Sequence, residues 1–219
     1  MKNNNIYIII VLSSFFMLTA CQPEPEALSV KVYETSASGN QLAEIATTEK
    51  QEGAVVLKVL PEQTYQTITG FGGSFTEASA YLLNQLGAAN RDRVLEACFG
   101  ESGARYSLTR THMNSCDFSL GHYSYAPVPG DTTLQHFSIE EDRGDIIPMI
   151  KAAMEKSKDG FKIIASPWTA PPWMKDNNDW RGGKLLPEYY DTWALFFNKY
   201  VDASRAEGID IWGFTVENE

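Results

Sequence analysis

The chain has 219 residues, a formal net charge of −10 at neutral pH, 43% apolar residues and 12% aromatics. That balance suits a globular unit with a sizeable core and excludes a fibrous or disordered chain. The acidic surplus excludes a non-specific nucleic-acid binder, which needs a basic surface.

Residues 1–20 differ from everything after them. Lys2 precedes a largely apolar run from Ile6 to Leu18, interrupted by Ser13 and Ser14, and Leu18-Thr19-Ala20-Cys21 closes it. So short a run, with small residues behind it, reads as an export signal and not as a membrane-spanning helix. The tetrapeptide resembles the signal of a bacterial lipoprotein. That resemblance implies cleavage before Cys21, lipid on its sulfur, and an exported protein tied to the membrane of the cell envelope. An ordinary secretory signal with an incidental cysteine is the alternative. Two or three acyl chains make a stable anchor where one is marginal. Residues 21–27, with Pro23, Glu24, Pro25 and Glu26, read as a tether.

Residues 28–65 carry period-two apolar patches, Val30 and Val32, then Val55, Leu57 and Val59, separated by Thr, Ser and Gly. They predict short antiparallel strands, the start of a small β-domain. Beyond Gln66 the rhythm becomes strand, helix, strand. Thr67 to Thr69 reads as a strand ending in a glycine turn, Gly70-Phe71-Gly72-Gly73. Thr76 can cap a helix running through Leu86, and a second helix spans about Arg91 to Cys98. Arg105 to Met113 is the next strand, followed by a long loop and a helix from Asp145 to Lys158 that Gly160 ends. Phe161 to Ala165 is a third strand. The helix from Pro187 to about Ala206 aligns Tyr190, Trp193, Ala194, Phe197 and Val201 on one face. Gly208 stops it, and Ile209 to Val216 is a fourth strand.

Alternating strands and helices call for a parallel α/β sheet. Four βα units with long loops after the strands suit the first half of a (β/α)₈ TIM barrel, which takes about 250 residues. Residues 66–219 are therefore expected to be a barrel domain broken off after its fourth strand. An open doubly wound sheet is the rival, although Gly70 to Gly73 lacks the spacing of a dinucleotide loop. Once Cys21 is set aside, Cys98 and Cys116 remain. They can pair in an exported protein, but free buried thiols are the plainer expectation. No spacing implies a metal or an organic cofactor.

Catalytic groups of such a barrel lie at the carboxyl ends of its strands. Those ends carry Arg110, Asn114, Cys116, Asp117 and Phe118, then Ser166 to Trp173, then Glu217-Asn218-Glu219. Indole faces cover the C–H faces of a sugar, and carboxylates and amides bond its hydroxyls. Taken singly, each has a plainer reading. Trp168 and Trp173 suit packing, and Asp117 suits a turn cap. Arg110 needs an acidic partner for structural reasons alone. Tyr123 and Tyr125 suit loop packing, and His112 a satisfied core histidine. Strand alternation does not decide whether Glu217 or Glu219 faces the site.

Gly70-Phe71-Gly72-Gly73-Ser74-Phe75-Thr76-Glu77, Cys116-Asp117-Phe118-Ser119, Ala165-Ser166-Pro167-Trp168-Thr169 and Thr215-Val216-Glu217-Asn218-Glu219 occur in that order. The series resembles glycoside hydrolase family 30, the glucosylceramidase family, from about Gln66 to the last residue. The resemblance implies a retaining β-glycosidase on a TIM barrel with an attached β-sandwich. Glu219 would be the general acid/base, and Asn218 would hold the sugar 2-hydroxyl. Asp117 and Trp168 would bind the first sugar with Phe118 beside them, and Arg110 would support the charge of the catalytic carboxylates. The nucleophile of the family sits on a later strand, so the covalent half of the mechanism is expected beyond residue 219. Substrates within the family include glucosylceramide, β-1,6-glucan and xylan. A non-catalytic, lipid-anchored glycan-binding protein is the alternative of another class.

Overall fold

The computed structural model describes residues 30–46 and 52–218, so the export signal, Cys21, the tether and Glu219 lie outside the described residues. The chain divides into two compact units, residues 1–64 and 65–219. In the first, β1 (Val32–Glu34) and β2 (Ala43–Ile45) pair antiparallel, with Val32 opposite Ile45. The Tyr33 hydroxyl donates to Glu44 across the pair at 3.1 Å. The second apolar patch does not form the expected strand: Val55, Leu57 and Val59 are more than four-fifths exposed and lie in irregular chain. A period-two pattern becomes a strand only where a neighbour takes up its backbone hydrogen bonds, and none does so among the described residues.

In the second unit, β3 (Ser74–Phe75), β4 (Leu108–Met113), β5 (Lys162–Pro167) and β6 (Gly213–Phe214) are parallel and adjacent in chain order. Helices α1 (Glu77–Gln85), α2 (Ala88–Phe99), α3 (Ile146–Lys156) and α4 (Tyr190–Ala206) run between them. A doubly wound sheet reverses its strand order at a switch point, whereas a barrel adds each strand beside the last. Four strands without reversal form an arc of a (β/α)₈ barrel.

Local signals place the helices well. Thr76 Oγ1 accepts from Ser79 N at 3.2 Å and opens α1, and the Asp145 carboxylate accepts from Ile146 N to open α3. The glycine segment is a correction. The strand forms after the glycines, because residues 70–73 pass beside the start of β4 instead of turning. Phe71 O accepts from Ser107 N and Leu108 N at 2.9 and 3.2 Å, and Gly73 O accepts from Arg110 N at 3.2 Å. A Cβ added to Gly72 would stand 1.9 Å from Leu108 O. The absence of a side chain serves close backbone approach here, not a turn.

The buried face of α4 is also rotated from the expected one. It carries Thr192, Trp193, Phe196, Tyr200 and Ser204, while Tyr190 is exposed. Phe196 and Tyr200 stack on Tyr125, at 6.0 and 5.7 Å between ring centroids. Tyr125 belongs to the loop after β4, and a loop ring cannot be read from helical periodicity. The fourth strand is shorter than expected, yet Trp212, Thr215 and Asn218 donate backbone N–H groups to Ile163, Ala165 and Pro167 of β5.

Replacing Gly72 by Ala should cost about 1–3 kcal/mol of stability and lower the unfolding midpoint accordingly, since backbone must move to admit the methyl. Gly73→Ala, whose Cβ would meet the Tyr106 ring at 3.3 Å, should be milder. Denaturant melts of the two variants check this, and equal midpoints would contradict the close-approach reading.

Candidate active site

The parallel register sets Arg110 opposite Ile164 and His112 opposite Ser166. At the carboxyl ends of the strands this leaves a cavity of about 470 Å³. Ser74, Thr76 and Ser79 line it from the first βα connection, Arg110, Asp117 and Phe118 from β4 and its loop, Ser166 and Trp168 from β5, and Asn218 from beyond β6. Arg110, Asp117, Phe118, Trp168 and Asn218, widely separated in sequence, thus share one site. Glu219 lies outside the described residues.

Arg110 is the link among them. Its Nη2 donates to Ser166 Oγ at 2.8 Å and to Asn218 Oδ1 at 2.7 Å, and the Ser166 and Thr215 hydroxyls bond each other. The expected acidic partner is not found among the described residues; a hydroxyl and an amide oxygen accept the guanidinium's hydrogen bonds instead. Arginine has donors only, so the Asn218 carbonyl oxygen must face it and the Asn218 NH₂ points elsewhere.

Asn114 shapes the loop that carries Asp117. It ends β4 in the left-handed region, at φ 61°, a conformation asparagine tolerates better than most residues. Its side-chain oxygen accepts from Tyr125 N at 2.9 Å, and its backbone oxygen meets His112 Nδ1 at 2.6 Å. His112 Nε2 accepts from Glu77 N at 3.2 Å, so Nδ1 holds the proton and the ring is neutral. Burial holds its pKa below the ordinary histidine value. His112 is a satisfied core histidine, as the sequence suggested.

The turn at 116–119 is closed by Ser119, whose Oγ accepts from Cys116 N at 3.0 Å, and not by Asp117. No donor reaches the Asp117 carboxylate among the described residues, and Asp117, an exposed residue, lines the cavity with its acceptors open. Phe118 stands beside it, 60% exposed. Trp168 is buried and lies flat against His122 at 5.6 Å, and its indole N–H meets no acceptor among the described residues. Trp173 is a packing residue: its N–H donates to Ala126 O at 2.9 Å and its ring meets Tyr189 edge to face. Glu217 accepts from Ala170 N at 2.9 Å and does not line the cavity. Cys98 and Cys116 are free. Burial pushes the Cys116 thiol up, away from the reactive thiolate.

One buried group escaped the sequence reading. Asp142 accepts from the Tyr123 and Tyr125 hydroxyls at 3.0 and 2.5 Å, so these tyrosines pack the loop and also anchor it to a carboxylate. Burial raises the Asp142 pKa to about 7, against the lowering effect of the two tyrosine hydrogen bonds. No local motif marks Asp142; it sits in an acidic run, Glu140-Glu141-Asp142, that reads as solvated surface. Among the described residues no cluster of His, Cys, Asp and Glu could hold a metal ion.

Residues 68–219 match the family model described as the glycosyl hydrolase family 30 TIM-barrel domain. The chain belongs to glycosyl hydrolase family 30. Within this family 30 chain, 75% of the residues align with the lysosomal acid glucosylceramidase of Mus musculus at 37% identity, over 33% of that protein. The endo-1,6-β-D-glucanase of Neurospora crassa aligns at 32% identity, over 73% of the chain and 34% of the relative. The crystal structure of SrfJ from Salmonella typhimurium superposes with a TM-score of 0.74 at 34% identity, covering 86% of this chain and 43% of that one. The endo-β1,6-glucanase BT3312 gives 0.72 at 31% identity, over 86% and 42%. The chain spans about a third of the length of the curated relatives it matches.

The folded-state pKa of Asp142, about 7, lies above its ordinary 3.8. The native protein then holds this proton more tightly than the unfolded chain. The resulting stability is full below about pH 4 and is lost as pH rises through 7. Urea melts between pH 4 and 8 should show this decline, and Asp142→Asn should flatten it. An unchanged pH slope in that variant would contradict the assignment.

Proposed function

We propose that this family 30 chain takes part in hydrolysing a β-glucosidic bond with retention of configuration, binding the sugar in the cavity beneath Asp117 and Trp168. The observation that carries this is the Asp117 carboxylate, open to hydroxyl donors, in one cavity with a buried indole and an amide oriented by Arg110. Because Arg110 holds the Asn218 oxygen, the Asn218 NH₂ is left to donate to a sugar hydroxyl, and we assign it the 2-hydroxyl. Glu219, next in the chain, is assigned as the acid that protonates the leaving oxygen and then as the base that activates water.

A retaining course needs two carboxyl groups ~5 Å apart, one of which attacks the anomeric carbon. Asp117 is the carboxylate among the described cavity residues, and it is assigned to the sugar hydroxyls. The nucleophile is therefore sought outside the described residues. Its negative charge would hold the Glu219 carboxyl protonated, since like charges in one site raise one pKa. The names of the relatives, a glucosylceramidase and two β-1,6-glucanases, support a glucose-configured substrate, either glycolipid or glucan. The Leu18-Thr19-Ala20-Cys21 segment supports export and lipid anchoring through Cys21, which would present the site at the cell envelope.

Proton NMR of the first product tests the stereochemistry: the β-anomer is expected, and an initial α-anomer would overturn a retaining mechanism. Glu219→Gln should cost about 10²- to 10⁴-fold in kcat/KM on alkyl or lipid glucosides, which need the proton. Activated aryl glucosides should lose far less. Equal losses on both classes would remove Glu219 from the acid role.

A further inference from the structure

Next to the cavity lies an open groove of about 600 Å³, lined by His122, Asn177, Asp179, Trp180 and Arg181. The two spaces meet through the packing of their lining residues. Trp168, which lines the cavity, stacks on His122 at 5.6 Å and 13°, and His122 stacks on Trp180 at 5.2 Å and 19°. A stack of three rings, with His122 in the middle, thus couples the lining of one space to that of the other.

The loop that presents Trp180 is fixed in advance by a buried ammonium group. Lys175 is only 4% exposed, and its Nζ donates to Thr169 Oγ1, Trp180 O and Gly182 O at 2.9, 3.0 and 2.9 Å. Its three donors are satisfied, which is what keeps a buried cation tolerable. The Lys175–Leu185 bridge and the exchange of hydrogen bonds between Asp176 and Lys184 close the base of the loop. An aromatic side chain held this way loses little freedom when a ligand arrives.

We propose that this groove is a second sugar subsite, holding the unit that adjoins the sugar in the cavity. The proposal rests on the glycosidase reading of the cavity. Its chemistry is that of carbohydrate recognition: the Trp180 ring, with Asp179, one of whose oxygens accepts from Arg181 N at 2.9 Å while the other is left for a hydroxyl, and the exposed Arg181 side chain among the lining residues. An acyl chain would instead need an apolar wall without charges. The groove therefore favours an oligosaccharide or glucan over a glycolipid whose second portion is hydrocarbon.

Calorimetry with methyl β-glucoside and with a thio-linked β-1,6-glucose disaccharide, which resists hydrolysis, tests this. The unaltered chain should bind the disaccharide about tenfold more tightly. Trp180→Ala should erase that advantage while leaving methyl β-glucoside affinity unchanged, and Trp180→Tyr, which keeps a flat ring, should retain most of it. Binding of the monosaccharide with no disaccharide advantage, or an advantage that survives Trp180→Ala, would overturn the subsite alone. Failure of both sugars to bind would overturn the cavity reading beneath it.

Discussion

The guanidinium of Arg110 reaches from β4 to Ser166 on β5 and to Asn218 past the end of β6. Three adjacent strands are joined at one point through this side chain. The parallel register makes this possible, because it sets Arg110 opposite Ile164, two residues before Ser166 on β5. Once the guanidinium is there, the orientation of Asn218 follows from donor–acceptor arithmetic. A lysine at this position would carry its charge on a single tetrahedral ammonium at the end of a more flexible stem, in place of the planar Nη2 that serves both acceptors here.

The loop after β4 supplies the other half of the site, and it is secured from two directions. Asn114 turns the chain at its start in a left-handed conformation and satisfies the backbone of Tyr125 on its return. Asp142 ties down Tyr123 and Tyr125 near its end, and Tyr125 stacks on the α4 rings that cover the sheet. Asp117 and Phe118 therefore sit between two anchored points of a long loop, Asn114 on one side and Tyr123 with Tyr125 on the other. Such anchoring is what a binding loop needs to hold a carboxylate in place before the ligand arrives.

What the sequence disclosed, and what it hid, divides by range. Thr76 as a cap, a helix starting at Asp145, Asp117 and Phe118 just past a strand, and Trp168 and Asn218 at strand ends are local signals, and they were legible. The partners of Arg110 lie 56 and 108 residues away in the chain. No spacing rule reaches that far, and an acidic partner was expected where a serine and an asparagine stand. The face of α4 was misplaced for the same reason, since its aromatic partner Tyr125 belongs to a distant loop. Gly72 was legible as a special position but not as a close approach to Leu108, which depends on the neighbouring strand. The family resemblance drew together residues that local reading left as separate alternatives, and the shared cavity is its geometric counterpart.

The most direct measurement is a crystal structure of the protein with a glucose-configured iminosugar. The expected result is a ring seated in the cavity against Trp168, a hydroxyl on the Asp117 carboxylate, and the Asn218 amide donating to the ligand while its oxygen stays on Arg110. A ring bound elsewhere, or an Asn218 amide turned with its NH₂ toward Arg110, would contradict the reading of this cavity as the sugar site.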